Sequence, residues 1–327
     1  MGNQVKQGML SRQVAEFSER PPFPRAINVE LSNVCNHSCS FCAISLMERK
    51  QGSMNVAKLE KWLLEAYELG SREIGLHSGA EPFASRYLEH FIKYTKKIGF
   101  EYTYISTNGS LAKPPRKKAV MDAGIDSIKF SINAGDRKTY ARIHGKDHFD
   151  LVMGNLRAAA QYRGSNKKPY LAISFVITRE NEHTVEKMRA LSDGLVDEFL
   201  AFRALNLSGQ LPGDGEQAWK DEKICAVPFN KVHISWEGFM RGCCNDYENM
   251  LALEDLESMT LAEAYYSERY MAWRRQHLEN RLEGSLCFNC KYDRKTPVQP
   301  LNPELYFRTH ESDKGPKVSF TPIIFKK

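Results

Sequence analysis

Eight cysteines fall into groups along a 327-residue chain. Cys35, Cys39 and Cys42 share one short stretch, ELSNVCNHSCSFC. Cys225, Cys243, Cys287 and Cys290 form a second set ending in Cys-x2-Cys, and Cys244 is spare. This is too sparse for a disulfide scaffold, and no apolar leader opens the sequence. The expected compartment is therefore the cytoplasm, where grouped thiols bind metal or do chemistry. Three thiolates from one loop can hold a metal centre and leave a position open, as catalytic sites do. Four thiolates from separated segments describe a closed site. On spacing alone both sets stay open to zinc: His37 could complete the first, and the second has the frame of a structural zinc site.

The elements that must position these thiols follow from periodicity. Six β-rich runs are expected at 26–31, 72–77, 101–106, 127–132, 170–177 and 197–205. Amphipathic stretches lie between them. In 56–69, Leu59, Leu63, Ala66 and Tyr67 share a helical stripe, and 87–99 ends at Gly99, a helix-stopping glycine. Alternation of this kind predicts βαβ units around a parallel sheet, an α/β fold with a partial (β/α)6 barrel and ligands beyond the C-terminal strand ends. The pattern breaks at 207–224, read as a linker. Residues 230–244 predict a hairpin turning at Glu237-Gly238, followed by one long helix over roughly 260–282 that Gly284 ends. The expected division is an N-terminal extension (1–24), the barrel (25–206), the linker (207–224), a small hairpin-plus-helix domain (225–291) and a Pro-rich tail (292–327).

Landmarks around the first cysteines carry a resemblance. Cys35-x3-Cys39-x-Phe41-Cys42 is followed by His77-Ser78-Gly79-Ala80-Glu81-Pro82 after the second strand. Ser106-Thr107-Asn108-Gly109 follows the third, and Ser131-Ile132-Asn133 the fourth. This ordered set, over roughly 25–205, resembles the radical S-adenosylmethionine superfamily. Ser78 and Ala80 stand where the family usually has glycine, so Ala80 must keep a negative φ. The second cysteine set resembles a twitch domain, the shortened relative of the SPASM domain, as in aminocyclitol dehydrogenases.

The resemblance implies two [4Fe-4S] clusters, one catalytic on Cys35, Cys39 and Cys42, and one auxiliary on Cys225, Cys243, Cys287 and Cys290. Cys243 is preferred over Cys244 as ligand. It also implies S-adenosylmethionine on the catalytic cluster, with an external one-electron reductant of the flavodoxin or ferredoxin type. The expected cofactor contacts are Phe41, Ser78, Gly79, Ala80, Glu81, Asn108, Ser131, Asn133 and Arg142. The implied chemistry is hydrogen abstraction by a 5′-deoxyadenosyl radical, with the second electron passing to the auxiliary cluster. Glu30 and His77 are the candidate bases, and Arg203 the candidate to orient the substrate. His144 and His148 read as surface residues.

Composition limits the substrate. A net charge of +6 permits an anionic substrate without demanding nucleic acid. The basic run 113–118, KPPRKK, lacks interleaved aromatics and reads better as a helix start, which argues against nucleic acid and against a non-catalytic zinc protein binding it. The longest apolar stretch, 170–178, is too short to span a bilayer. Only about 25 residues precede the barrel, too few for a peptide-recognition domain. The expected substrate is a small molecule such as a sugar, nucleotide sugar or cyclitol, with a ribosomal peptide as the alternative.

Overall fold

The computed structural model describes residues 16–208, 224–292 and 294–310. Its nine strands form one sheet. The first six are β1 (Ala26–Val29), β2 (Glu73–Gly75), β3 (Tyr102–Thr107), β4 (Ser127–Ser131), β5 (Tyr170–Ile177) and β6 (Glu198–Arg203). They pair in parallel, in sequence order. Helices α1 (Val56–Glu68), α2 (Leu88–Ile98), α3 (Pro114–Asp122), α4 (Arg137–His144), α5 (Phe149–Arg163) and α6 (Val185–Ser192) supply the crossovers. This is the expected α/β partial barrel.

The hairpin forms where the sequence places it, as β7 (Lys231–Ile234) and β8 (Phe239–Arg241), turning through Gly238 at φ +95°. A third strand, β9 (Ala252–Asp255), adds to it antiparallel. That strand is unpredictable from its own residues: ALED is short and half acidic, and gains strand character only by pairing with β8. The hairpin extends the barrel sheet itself, because β7 pairs in parallel with β1.

Both faces of a parallel sheet are usually covered and apolar. Here the register separates two faces. Ile27, Val29, Ile74, Ile105, Ile128, Phe130, Leu171 and Ile173 belong to the buried apolar core. The alternate residues include Asn28, Tyr104, Ser106, Lys129, Ser131, Ser174, Lys231 and His233, and they line the lumen. The chain thus builds its core outside the strands and leaves a polar interior.

Local rules explain the helices. Asn55 caps α1 by accepting from the Lys58 N–H at 3.1 Å, and Leu59, Trp62, Leu63 and Ala66 face inward. Gly99 ends α2 with φ +106°, as expected. KPPRKK does open a helix: Lys117 is buried and donates to the Asn155 carbonyl, while Arg116 pairs with Glu89 and Lys118 with Asp122. The single long helix expected over 260–282 is two, α7 (Leu261–Tyr265) and α8 (Glu268–Leu278). Thr260 and Glu263 form a capping box on the first, and Ser267 accepts from the Tyr270 N–H to start the second. Two caps seven residues apart restart the helix. Then come α9 (Leu286–Tyr292) and, within the expected tail, α10 (Pro303–Thr309), whose Leu305 packs on Phe239 and Ala252. Most of the expected linker lies outside the described residues. No described helix is long and apolar enough to cross a membrane.

Candidate active site and a second thiol site

The loop after β1 is closed at its base. Ser32 Oγ donates to the Gly52 carbonyl at 2.8 Å. The Asn33 side chain donates to the Lys50 carbonyl and accepts from the Gly52 N–H. Farther along, the N–H groups of Ser38 and Ser40 donate to the carbonyls of His144 and Ile143. Those are carbonyls at the C-terminus of α4, which have no partner inside the helix, so the loop caps the helix and the helix shapes the loop. Gly145 is required there: a Cβ would lie 2.2 Å from Ser38 Oγ.

Cys35, Cys39 and Cys42 converge on a cavity of about 220 Å³ at the C-terminal strand ends. They are its only cysteines among the described residues, and donors surround them. Asn108 Nδ2 lies 3.9 Å from Cys35 Sγ, and Tyr247 Oη lies 3.8 Å from Cys42 Sγ. His144 Nδ1 lies 3.4 Å from Cys39 Sγ. The Asn133 backbone N–H donates to His144 Nε2, so that nitrogen carries the lone pair and Nδ1 carries the proton aimed at sulfur. Burial lifts all three thiols, Cys35 to about 11. They need a metal centre to become thiolates. Three converging thiols with sulfur-directed donors and no fourth thiol fit a cluster with one open position.

Most of the expected cofactor residues line the same cavity: Phe41, Gly79, Ala80, Glu81, Asn108, Ser131 and Asn133. Gly79 has φ +74°, whereas Ala80 keeps a negative φ, so the missing glycine there carries no strain. Glu81 is a brace. Its carboxylate accepts from Thr107 Oγ1 at 2.6 Å and from the N–H groups of Asn108 and Phe83, and burial pushes it up to about 7. Asn133 is likewise engaged, its Oδ1 accepting from the Val176 N–H. Hydroxyls come instead from Ser131 and Ser106, which line the cavity and hydrogen-bond each other at 3.2 Å.

Four expected site residues lie elsewhere. The Ser78 side chain instead accepts from Arg241 Nη2 at 3.4 Å. Arg142 pairs with Glu180, and Arg203 with Glu182, each about half exposed. Glu30 is held between Arg49, at 2.7 Å, and Arg241, at 3.6 Å. Burial raises its pKa, but the two guanidiniums outweigh burial and keep it below the usual carboxylate range. It is an ionised strut, not a base. His77 does line the cavity. Its ring hydrogen-bonds the Tyr104 backbone, Nδ1 has no partner, and burial with Lys129 and Lys231 nearby lowers it to about 3. His144 is fully buried and His148 meets His37 at 3.1 Å, so neither is a simple surface residue.

The second thiol set also converges. Cys225 precedes a short helical turn, Cys243 follows β8, and Cys287 and Cys290 sit one turn apart on α9. All four line a cavity of about 50 Å³ with mostly apolar walls, including Val227, Leu251, Trp273 and Leu282. Gly242 lets Trp273 close over it: a Cβ would stand 2.6 Å from the indole. Cys244 is exposed and outside this cavity. Burial again raises Cys225 to about 11, and the Asn245 N–H donates to Cys243 Sγ at 3.4 Å.

Sequence reasoning missed Tyr247, Arg49 and His144. Arg49 donates to Glu30, to Glu237 in the hairpin turn and to the Tyr247 carbonyl, tying the cysteine loop to the C-terminal strands. Partners about 200 residues apart leave no local signal. Lys129 had one: a lysine between Ile128 and Phe130 is out of place in a strand buried on both faces.

Residues 29–191 match the Radical SAM superfamily, and residues 225–291 match SPASM, an iron-sulfur cluster-binding domain. A curated protein of Saccharolobus islandicus (strain M.14.25 / Kamchatka #1), "Probable GTP 3',8-cyclase", is 31% identical over 173 residues, covering 52% of this chain and 53% of that protein. One of the same name from Sulfurisphaera tokodaii is 28% identical over 155 residues, covering 47% and 48%. The chain thus spans about half the length of the curated relatives it matches. BtrN in complex with AdoMet and 2-DOIA superimposes with TM-score 0.57 at 18% identity, over 86% of this chain and 99% of that one. Streptococcus suis SuiB bound to precursor peptide SuiA gives 0.66 at 14%, over 83% and 70%. AnSMEcpe with bound AdoMet gives 0.59 at 14%, over 88% and 94%. At such identities the structural likeness concerns the fold.

Proposed function

The chain belongs to the radical SAM superfamily and carries a SPASM domain, and from that premise we propose an oxidoreductase acting on a small polar substrate such as a sugar, nucleotide sugar or cyclitol. When bound, S-adenosylmethionine and a reduced [4Fe-4S] cluster supply a 5′-deoxyadenosyl radical that takes a substrate hydrogen, and a second [4Fe-4S] cluster accepts the remaining electron.

The chain's own part is to place and to exclude. Cys35, Cys39 and Cys42 would hold the first cluster, with no fourth cysteine among the described residues lining that cavity. The backbone at Gly79–Glu81 would receive the methionine amine, and Ser131 with Ser106 would offer hydroxyls to the ribose. Cys225, Cys243, Cys287 and Cys290 would hold the second cluster behind apolar walls. His77 Nδ1, unpartnered among the described residues, accepts a hydrogen bond from the substrate's hydroxyl and orients it; burial and the two nearby lysines hold the ring neutral, so the hydroxyl proton leaves to solvent. An external flavodoxin- or ferredoxin-type protein delivers the first electron.

One observation carries this reading. Segment 243–247 begins with a thiol of the second site and ends with Tyr247, which touches Cys42 of the first. Four residue steps reach at most about 14 Å, so the two sites are neighbours through a single short stretch. That adjacency suits passage of an electron from the first region to the second. The SuiB likeness favours a second reading, a peptide substrate for the same oxidation.

The test is anaerobic turnover with deuterated candidate substrates and mass spectrometry of both products. One deoxyadenosine should form per substrate oxidised by two electrons, with deuterium transferred to it. A product of unchanged mass, as in a redox-neutral cyclisation, excludes the oxidoreductase. A peptide lighter by two hydrogens promotes the second reading.

A further inference from the structure

We propose that the substrate of this site carries an anionic group, best a phosphoryl group, seated between Lys129 and Lys231 in the lumen beneath the cysteine cavity. The inference rests on the reading that the substrate occupies this lumen.

Register places both side chains there. Lys129 lies on β4 between Ser127 and Ser131, opposite Ala172 of β5, on the polar face. Lys231 opens β7, two residues before His233 and opposite Ala26 of β1. These strands lie four positions apart in the sheet, and both side chains stand on its polar inner face, from which both ammoniums add to the field at His77. Neither has a hydrogen bond or ion pair among the described residues. Glu198, the lumen carboxylate nearest Lys129 in register, faces Tyr170 Oη at 3.4 Å. Glu73 pairs with Arg25, and Glu30 is taken by Arg49 and Arg241.

The surroundings point to a missing ligand. His233 is fully buried with both ring nitrogens unpartnered, and His77 leaves Nδ1 unpartnered. Buried polar atoms normally have partners, so orphans on one wall mark where a polar group belongs. Burial holds Lys129 below the ordinary lysine range even against the pull of Glu198 and Cys244, a cost that an incoming anion would offset. Two point-charge ammoniums without a free guanidinium fork suit a phosphoryl group better than a planar carboxylate.

The experiment uses iron-loaded, S-adenosylmethionine-bound enzyme and calorimetric titration with inorganic pyrophosphate and with malonate at fixed ionic strength. Lys129→Met and Lys231→Met should each weaken pyrophosphate binding at least tenfold, while the exposed Lys138→Met leaves it unchanged. Pyrophosphate binding tighter than malonate identifies a phosphoryl site; the reverse order, with the same losses, identifies a carboxylate site and keeps the anion. Equal affinity in wild type and lumen variants overturns the proposal. So does displacement of the probe by S-adenosylmethionine, which would assign the lysines to the cofactor. Removing an unpaired ammonium should leave Tm equal or higher; a lower Tm marks a structural lysine and also overturns it. Should the wild type make no deoxyadenosine, the reaction reading falls while this binding result stands.

Discussion

The two thiol sites are built from the same atoms in opposite ways. The first draws three cysteines from one loop whose ends are pinned by Ser32 and Asn33, and it opens on a cavity into which Ser106, Thr107, Asn108, Ser131 and Asn133 bring polar groups. The second draws four cysteines from three segments and closes them behind Trp273, Leu251 and Leu282. A loop can leave a coordination position vacant for a ligand, because the barrel and α4 fix its shape from outside. A site stitched from distant segments spends its thiols on closure and has none missing. The difference teaches that ligand count and lining vary together: three thiols beside polar side chains in the more open cavity, four thiols behind apolar ones in the smaller.

The contrast can be broken from either side, and the largest effect is expected at the first site. Replacing Cys35, Cys39 and Cys42 together by Ala should abolish reductive deoxyadenosine formation and remove about half of roughly eight irons, as two [4Fe-4S] clusters require. Iron, sulfide and deoxyadenosine assays check this. Zinc in place of iron in the purified protein would break the comparison altogether. Next in size is Cys287→Ala, which should remove the other half of the iron and the oxidised product while sparing deoxyadenosine formation. Cys244→Ser should match wild type in both assays, because that thiol lies outside the cavity.

Smaller effects sharpen the account. Glu30→Gln leaves Arg49 and Arg241 facing a neutral amide inside the protein, and should cost about 3–5 kcal/mol by chemical denaturation. Because the Glu30 pKa is lowered in the fold, its stabilisation is present above the unfolded carboxyl value and is lost as pH falls through the folded one. The stability gap between wild type and variant should therefore narrow in acid. His144→Leu removes the N–H aimed at Cys39 and should lower the potential of the first cluster by on the order of tens of mV, leaving the second unmoved. Redox titration followed by EPR separates the two.

Much of this was legible in the sequence, for a stated physical reason. Cys35, Cys39, Cys42, Gly79 and Ser131 sit on strand ends that a period-two pattern locates, and βαβ order then brings those ends together. The hairpin turn at Glu237-Gly238 was equally local. Arg142, Arg203 and Glu30 were misplaced because their roles depend on partners that periodicity does not supply. Glu30 reads as a base in the sequence, and only the fold shows Arg49 and Arg241 beside it. Lys129 and Lys231 needed the sheet order, since nothing in the sequence joins β4 to β7 across the lumen.

The asymmetry between the sites is most directly tested by EPR of the reduced enzyme with and without S-adenosylmethionine, in wild type and in the two cysteine variants. The account predicts that S-adenosylmethionine shifts only the signal missing from the Cys35/Cys39/Cys42 variant, and leaves untouched the signal missing from Cys287→Ala. A shift in the second signal, or in neither, would contradict it.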